Sequence, residues 1–477
     1  MEVLQRLHNR GSISTGYDID HSVKMEGDNS EYLTKTYSSA GNSKTWTISV
    51  WVKRTESGAS TSTSHMIFGA GDTYLHFLSS DKLYANLRTA STNFFWGSDR
   101  VFRDTAAWYH IVMAVDTTQG TAADRVKVYV NGEQQTPTET GYQNISQNAD
   151  TRVNSAVEHE IGKYTFAEVH GMQYAEYFHG YMSDMYVIDG SAKAPTDFGE
   201  FDTNGVWIPK AYGGSYGTNG FFLDFADAAD LGDDESGNGN DWTEVNLTAA
   251  DQATDTPTNN FCTWNPLWAF YRNSTITEGG TEVAGAAGGW SHAGATMGVM
   301  NGRWYWEWKI TSTEIGFISF STLEGNANLN QLGHDNSVIM GYAAGNLYTW
   351  LNGSQGSNES TGWGTWAVND IISIFLDVEN SDRRFTLYKN GSAISGTTSF
   401  PVSMPNQMQV ANGGGNIFPY NVQYENDGGE WNFGGYTTMS NSTSYSDADG
   451  HGSFVYSPVL SGVNYYALCT KNLAEYG

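Results

Sequence analysis

Apolar and polar positions alternate with a period of two along most of the chain, the spacing of a strand with one face in a core. Residues 46–52 (WTISVWV) show the pattern, and residues 108–116 (WYHIVMAVD) show it more loosely. Residues 125–132 put Val126, Val128 and Val130 on one face before ending in Asn131-Gly132. Asn-Gly occurs eight times in the chain. It favours the type I′ turn, whose two central residues both need positive φ, so each copy is a candidate hairpin tip. No long amphipathic helix follows residue 20, and the chain reads as antiparallel β throughout.

One pattern occurs twice. A strand ends at Asp116, and Asp124-Arg125 opens a second that closes on Asn131-Gly132. Residues 370–377 (DIISIFLD) are followed in the same way by a strand closing on Asn390-Gly391. The repeat predicts two β-sandwiches of related architecture. Between them, residues 224–260 turn acidic and polar, which sets the boundary near residue 250. The expected order is a short arm over residues 1–20, a first sandwich over 21–250 and a second over 251–477. In the arm, Val3, Leu4 and Leu7 stand at near-helical spacing. They are read either as part of a frayed terminus or as a docking stripe for a larger assembly.

Composition narrows the function classes. The chain has 477 residues, with 52 acidic and 24 basic side chains and a formal net charge of −28. That charge disfavours phosphate backbones and anionic lipid surfaces, so neither nucleic acid nor membrane is an expected partner. Aromatic residues make up 14% and charged residues only 16%, which is the balance of a packed protein rather than a disordered acidic one. Neither a spanning apolar run nor a secretory leader is apparent, and two cysteines exclude a disulfide framework. Cys262 and Cys469 are expected on neighbouring strands where the second sandwich begins and ends.

Several groups are candidates for chemistry. Asp233, Asp234, Asn238, Asn240 and Asp241 crowd oxygen atoms near Gly237 and Gly239, the composition of a Ca²⁺ loop. The alternative is a solvated turn held by Asx hydrogen bonds. Trp290, Trp350, Trp363 and Trp366 could present indole rings that stack on sugars, and Trp350, Asn352, Trp363 and Trp366 lie in or beside a Gly/Ser/Asn-rich stretch. Trp304, Trp306 and Trp308 alternate along one strand and are expected in a core. No catalytic constellation stands out. The nearest approach to the paired carboxylates of a β-glucanase is Glu200 and Asp202, and no third acid follows in period, so the chain is expected not to be an enzyme.

Residues 47–53 (TISVWVK), 108–112 (WYHIV), 126–132 (VKVYVNG) and 180–189 (GYMSDMYVID) together resemble the laminin-G-like branch of the concanavalin A-like jelly rolls. Residues 302–310 (GRWYWEWKI), 315–318, 370–374 and 385–391 (FTLYKNG) resemble a SPRY domain. The resemblance implies an all-β fold of two concanavalin A-like jelly-roll β-sandwiches in tandem after a short N-terminal arm. Loops around 326–335 and 352–366 are where SPRY domains would bind ligands. Residues 32–53, 231–242 (LGDDESGNGNDW), 255–263 (DTPTNNFCT) and 466–473 (YALCTKNL) are similar to segments of bacteriophage virion proteins. That likeness implies a tail-fibre, head-fibre or capsid-decorating protein at the virion surface, made in the host cytoplasm. It would attach to other virion proteins through the arm, form a homo-oligomer, and display lectin-like domains to host-surface polysaccharide. A decoration protein without a ligand, and a polysaccharide depolymerase, are the rival readings.

Overall fold

The computed structural model describes residues 16–57, 64–89, 93–137, 144–169, 172–270, 274–287, 289–312, 316–322, 337–341, 346–351, 354–360, 366–394, 400–404, 406–425, 427–439 and 444–477. Among the described residues nearly all of the regular structure is β, with one short α-helix, Thr470–Tyr476, near the C-terminus. Among the described residues no helix is long and apolar enough to cross a membrane. The chain forms two compact units that meet in sequence at Thr258 and Asn259.

The first unit is a sandwich of two antiparallel sheets. One runs in the order Glu133–Gln134, Val126–Val130, Trp108–Asp116, Thr45–Arg54, Gly180–Asp189, Ser22–Met25 and Gln252–Ala253, with Phe221–Leu223 also paired to Gly180–Asp189. The other runs Thr243–Val245, Tyr32–Thr36, Glu158–Ile161, His65–Ala70, Thr73–Phe77, Lys82–Arg88 and Asn93–Val101. Alternation along Thr45–Arg54 sends Trp46, Ile48, Val50 and Val52 into the core, where Leu75, Phe77, Leu83 and Leu87 meet them from the facing sheet. The opposite face of the first sheet is buried too. Phe198, Trp207, Tyr212 and Tyr216 fold back over it, and this sheet is called the wrapped sheet below.

The boundary near 250 is corrected by the pairing. Gln252–Ala253 extends the wrapped sheet beside Ser22–Met25, and Asp255 Oδ2 takes a 2.7 Å ion pair from buried Lys53. The first unit therefore keeps the chain as far as Thr258. Its start differs from expectation as well. Ile19 is buried, its N–H donates to Thr258 Oγ1, and its carbonyl accepts from the same hydroxyl. Tyr17 donates to Asp184. Residues 17–19 are thus sandwich, not arm, because a short strap with satisfied backbone groups holds them. Val3, Leu4 and Leu7 lie outside the described residues.

The second unit repeats the plan. Its wrapped sheet runs Thr275–Thr277, Glu282–Ala284, Gly428–Asn432, Arg303–Ile310, Ile371–Asp377, Arg384–Lys389 and Ser392–Ala393. Its facing sheet runs Trp264–Phe270, Trp290–Ala295, Phe418–Tyr424, Gly316–Ser321, Ser337–Gly341, Asn346–Leu351 and Ser354–Ser360. Trp304, Trp306 and Trp308 are all core residues, as their alternation predicts.

The repeated Asn-Gly signature is structurally the same object in both units. Asn131 and Gly132 have φ of 50° and 79°, and Asn390 and Gly391 have 49° and 75°. Each asparagine side chain accepts a 2.8 Å hydrogen bond from the neighbouring strand, from His110 N–H in one unit and Ile371 N–H in the other. Each asparagine N–H returns a bond to that residue's carbonyl.

The two cysteines lie on adjacent segments but face opposite ways. Cys262 N–H donates to Leu468 O. Cys262 belongs to the inter-sheet core, whereas Cys469 packs with Phe261 and Tyr305 on the outer side. Neither cysteine forms a disulfide, and burial pushes the thiol of Cys469 up to about 12.

Candidate functional site: aromatic faces on the two facing sheets

The outer face of each facing sheet carries the aromatic side chains that the wrapped sheets bury. In the first unit, Leu75 and Phe77 point inward, so Tyr74 and His76 point outward. On the next strand Leu83, Ala85 and Leu87 point inward, so Tyr84 and Asn86 point outward. The register sets Tyr74 opposite Asn86, His76 opposite Tyr84, and Asn86 opposite Phe95. Ring centroids follow one another across the sheet, Tyr164 to Tyr74 at 4.7 Å, Tyr74 to His76 at 5.1 Å, His76 to Tyr84 at 5.4 Å and Tyr84 to Phe95 at 5.9 Å. Tyr164 comes from the hairpin of Lys163–Val169 and Met172–Tyr177. That hairpin settles on the sheet because position 69 is glycine, where a Cβ would lie 2.9 Å from the Tyr164 ring. Tyr74, Tyr84 and Phe95 are half-buried.

The second unit shows the same arrangement with larger rings. Ala293 and Ala295 point inward, which leaves His292 outward. Tyr420 Oη lies 3.3 Å from His292 Nδ1, and Trp268 stands 6.0 Å from Tyr420 and 5.1 Å from Phe418. Trp290 and Tyr424 face each other at 4.9 Å in register. Trp268 lies over Gly294, where a Cβ would come 2.2 Å from the indole. In both units a glycine in the sheet lets an aromatic lie flat against it.

Buried charge sits elsewhere in the first sandwich. His179 Nδ1 is 2.5 Å from Glu26 Oε1 and 3.6 Å from Glu56 Oε2, and His65 Nε2 is 3.8 Å from Glu56. Burial pushes Glu56 up to about 7. Burial alone would lower His179, but the Glu26 hydrogen bond and the two carboxylates raise it. Burial and the Arg54 charge hold His65 neutral, well below the ordinary histidine value. The same network continues through Arg54 and Asp81 at 3.1 Å.

The residues singled out from sequence fall differently. Asp234 spends its carboxylate on the N–H groups of Phe222, Ser236 and Asn240 and on the Ser236 hydroxyl. Asp241 accepts from Asp234 N–H. The amides of Asn238 and Asn240 donate to carbonyls of residues 217–220. The lone pairs expected to face a cation are therefore turned on the loop's own donors, and Asp233 stays at the loop surface. Trp366 is corrected outright. It is 5% exposed and packs edge-on against Trp308 at 6.0 Å, so it is part of the core and not a stacking platform. Trp350 contributes backbone to Asn346–Leu351. Its side chain, Asn352, Trp363 and the loop 326–335 lie outside the described residues. Glu200 is exposed on the strand Gly199–Phe201, and Asp202 holds a turn by accepting from Asn204 and Val206.

The sequence reading missed Tyr74, His76, Tyr84 and Asn86, although residues 73–77 (TYLHF) alternate cleanly. The signal was present in the period. What it lacked was the knowledge of which sheet the wrap covers.

Residues 27–197 match a laminin G family model described as the concanavalin A-like lectin/glucanases superfamily. No curated protein matches the chain. Among solved structures, the SPRY domain of human HERC1 is 18% identical, with a TM-score of 0.28, covering 37% of this chain and 99% of that one. The heptameric SAP-like pentraxin from Limulus polyphemus is 18% identical, with a TM-score of 0.26, covering 38% and 80%. The LG1-3 region of the laminin alpha2 chain is 10% identical, with a TM-score of 0.34, covering 87% and 62%.

Proposed function

We propose that the protein is a non-enzymatic carbohydrate-binding display protein whose two sandwiches hold glycans on the aromatic faces of their facing sheets. The observation that carries this reading is the row of rings from Tyr164 to Phe95, matched by Trp290, Tyr424, Tyr420 and Trp268 in the second unit. Sugars offer apolar C–H faces that pack on rings and hydroxyls that need partners, and the half-buried rings of these rows, Tyr74, Tyr84, Phe95, Trp290 and Tyr424, with polar neighbours beside them, suit both. Shallow faces bind weakly one at a time. Two per chain, multiplied by many chains on one particle, raise avidity without new contacts. The net charge of −28 disfavours polyanionic ligands and keeps crowded copies soluble.

The setting we propose is a bacteriophage virion surface, with residues 1–20 toward other virion proteins and a homo-oligomeric assembly. Its support is the sequence likeness of segments 32–53, 231–242, 255–263 and 466–473. Binding of the full chain to soluble host-surface polysaccharide, read by affinity electrophoresis, tests the ligand class. A chain that migrates unretarded in every polysaccharide gel is a decoration protein without a ligand. Release of reducing ends from the same polysaccharides would make it a depolymerase. Immunogold labelling of particles tests the setting, and particles without label refute it.

A further inference from the structure

Three polar side chains on or against the first unit's aromatic face are left incomplete. Both ring nitrogens of His76 are buried and have no hydrogen-bond partner. Asn86 donates its amide to Asp72 O at 2.9 Å, yet its Oδ1 is buried and unpartnered. Glu176, in register with Tyr164 across the hairpin, keeps a buried Oε2 without a partner. Buried polar atoms are satisfied in the great majority of cases, because leaving one unpaired forfeits its hydration with nothing in return. Incomplete atoms gathered on one face therefore call for a partner that the chain alone does not supply.

The chemistry of that partner follows from the atoms. Burial holds His76 neutral, with its pKa down at about 3. A neutral imidazole offers one N–H donor and one lone pair, and Asn86 Oδ1 offers an acceptor. A hydroxyl both donates and accepts, so adjacent hydroxyls of one sugar ring complement this set without any charge. Tyr74 and Tyr84 stand edge-on to the imidazole on its two sides, at 90° and 81°. Both are half-buried and can present ring faces to a pyranose once they part.

We infer that His76 and Asn86, between Tyr74 and Tyr84, form the specificity subsite for one pyranose ring of a neutral glycan. This deepens the carbohydrate reading above and rests on it. In the unliganded protein the two tyrosines close over the imidazole. Ligand binding opens them and satisfies the orphaned atoms, so the site trades stability of the free protein for recognition.

That trade gives the test a signature a structural histidine would not share. The full chain is titrated with a panel of soluble neutral polysaccharides (mixed-linkage β-glucan, laminarin, dextran, xyloglucan and galactomannan), alongside His76→Phe, Tyr84→Ala and, in the second unit, Tyr424→Ala. His76→Phe removes the unpaired atoms while keeping a ring. It should raise the Tm by about 2–4 °C and weaken binding by about tenfold or more. Tyr84→Ala, at a half-exposed position, should weaken binding similarly without unfolding the domain. Tyr424→Ala should leave this subsite's affinity within about twofold. Wild-type binding that both His76→Phe and Tyr84→Ala retain in full overturns the subsite and leaves the carbohydrate reading standing. A wild-type chain that binds none of the panel overturns both.

Discussion

Between its sheets the first unit packs aliphatic and phenylalanine side chains around three tryptophans, Trp46, Trp96 and Trp242, whereas the second packs six, Trp264, Trp304, Trp306, Trp308, Trp366 and Trp431. The outer faces of the wrapped sheets differ just as much. In the first unit that face carries Lys53 paired to Asp255, which also accepts from Trp108 Nε1 at 3.0 Å. His110 lies beside them, held by Ser49 and Trp207 and stacked on Trp51. In the second unit the outer face of Arg303–Ile310 buries a carboxylate held by hydrogen bonds from neutral groups. Glu307 is fully buried and accepts from Tyr305 Oη, Asn432 Nδ2, Val455 N–H and Tyr456 N–H. Both devices pin a C-terminal wrap onto a sheet. One does so by charge pairing between distant side chains, the other by giving one carboxylate four donors. A common sandwich frame thus tolerates opposite electrostatic solutions, provided the buried charge is paired or hydrogen-bonded.

The largest test of that comparison removes each pin. Asp255→Ala leaves Lys53 buried without its ion pair and should cost the first unit about 3–5 kcal/mol. Replacing both partners, Lys53→Met with Asp255→Leu, should recover much of the loss, since a pair of buried charges contributes little beyond a well-packed apolar pair. Glu307→Ala strands four donors and should cost the second unit about 3 kcal/mol or more, at roughly 1 kcal/mol per lost bond. Hydrogen exchange read on peptides from each unit separates the two effects. Equal loss of protection in both units after either change would break the picture of separately pinned wraps.

A middle-sized effect comes from protons. In the second unit burial lifts Glu307 to about 7, against which its four donors pull. The native state there binds more protons than the unfolded chain between the ordinary carboxylate range and about pH 7. Stability from this group is therefore gained as pH falls through 7 and lost as pH rises. The first unit has Glu56 and Asp184, also lifted to about 7, and His179, raised, acting in the same direction. It also has histidines held neutral by burial, with His76 and His110 down at about 3, His159 at about 4, and His65 lowered by burial and by Arg54. For these the unfolded chain binds the extra proton, so stability is lost as pH falls below about 6.5. Exchange protection measured from pH 8 to pH 4.5 should peak near pH 6.5 in the first unit and keep rising toward pH 5 in the second. Parallel pH profiles would show that the buried histidines do not set the difference.

Much of this architecture could be read from alternation and turn chemistry. The all-β class, the core tryptophans at 304, 306 and 308, and the paired Asn-Gly hairpins all follow from period and turn residues, which are local. The aromatic faces and buried pins are not local. Tyr74 and His76 look like any outward strand residues until it is known which sheet the wrap covers. Trp366 reads as a surface indole because its neighbours in sequence are Gly, Ser and Asn, yet Trp308 from a distant strand covers it. Asp234 reads as a metal ligand for the same reason that it serves as a turn: crowded oxygens bind either a cation or the nearest N–H groups, and only the loop's folded path decides between them.

The smallest effect bears on whether the two units are built alike in detail. Asn131 and Asn390 each do two things, adopting positive φ at a hairpin tip and capping the next strand's N–H through the side chain. Alanine at either position gives up the cap, worth about 1 kcal/mol, and adds about 1 kcal/mol of left-handed strain. Glycine gives up only the cap, because it accepts positive φ freely. In each unit Asn→Gly should therefore cost roughly half of Asn→Ala. Asn390 has a further bond from its amide to Asp370 Oδ1 at 2.7 Å, and that carboxyl is held below its usual range by its donors and Lys389 despite partial burial. The bond lies near the surface and adds little. Urea denaturation of the four single variants should consequently return two nearly equal pairs. If Asn131→Ala costs the first unit much more than Asn390→Ala costs the second, the tip at His110 supports the buried His110–Trp207 contact as well as its own hairpin, and the repeat is one of backbone shape rather than of energetic role.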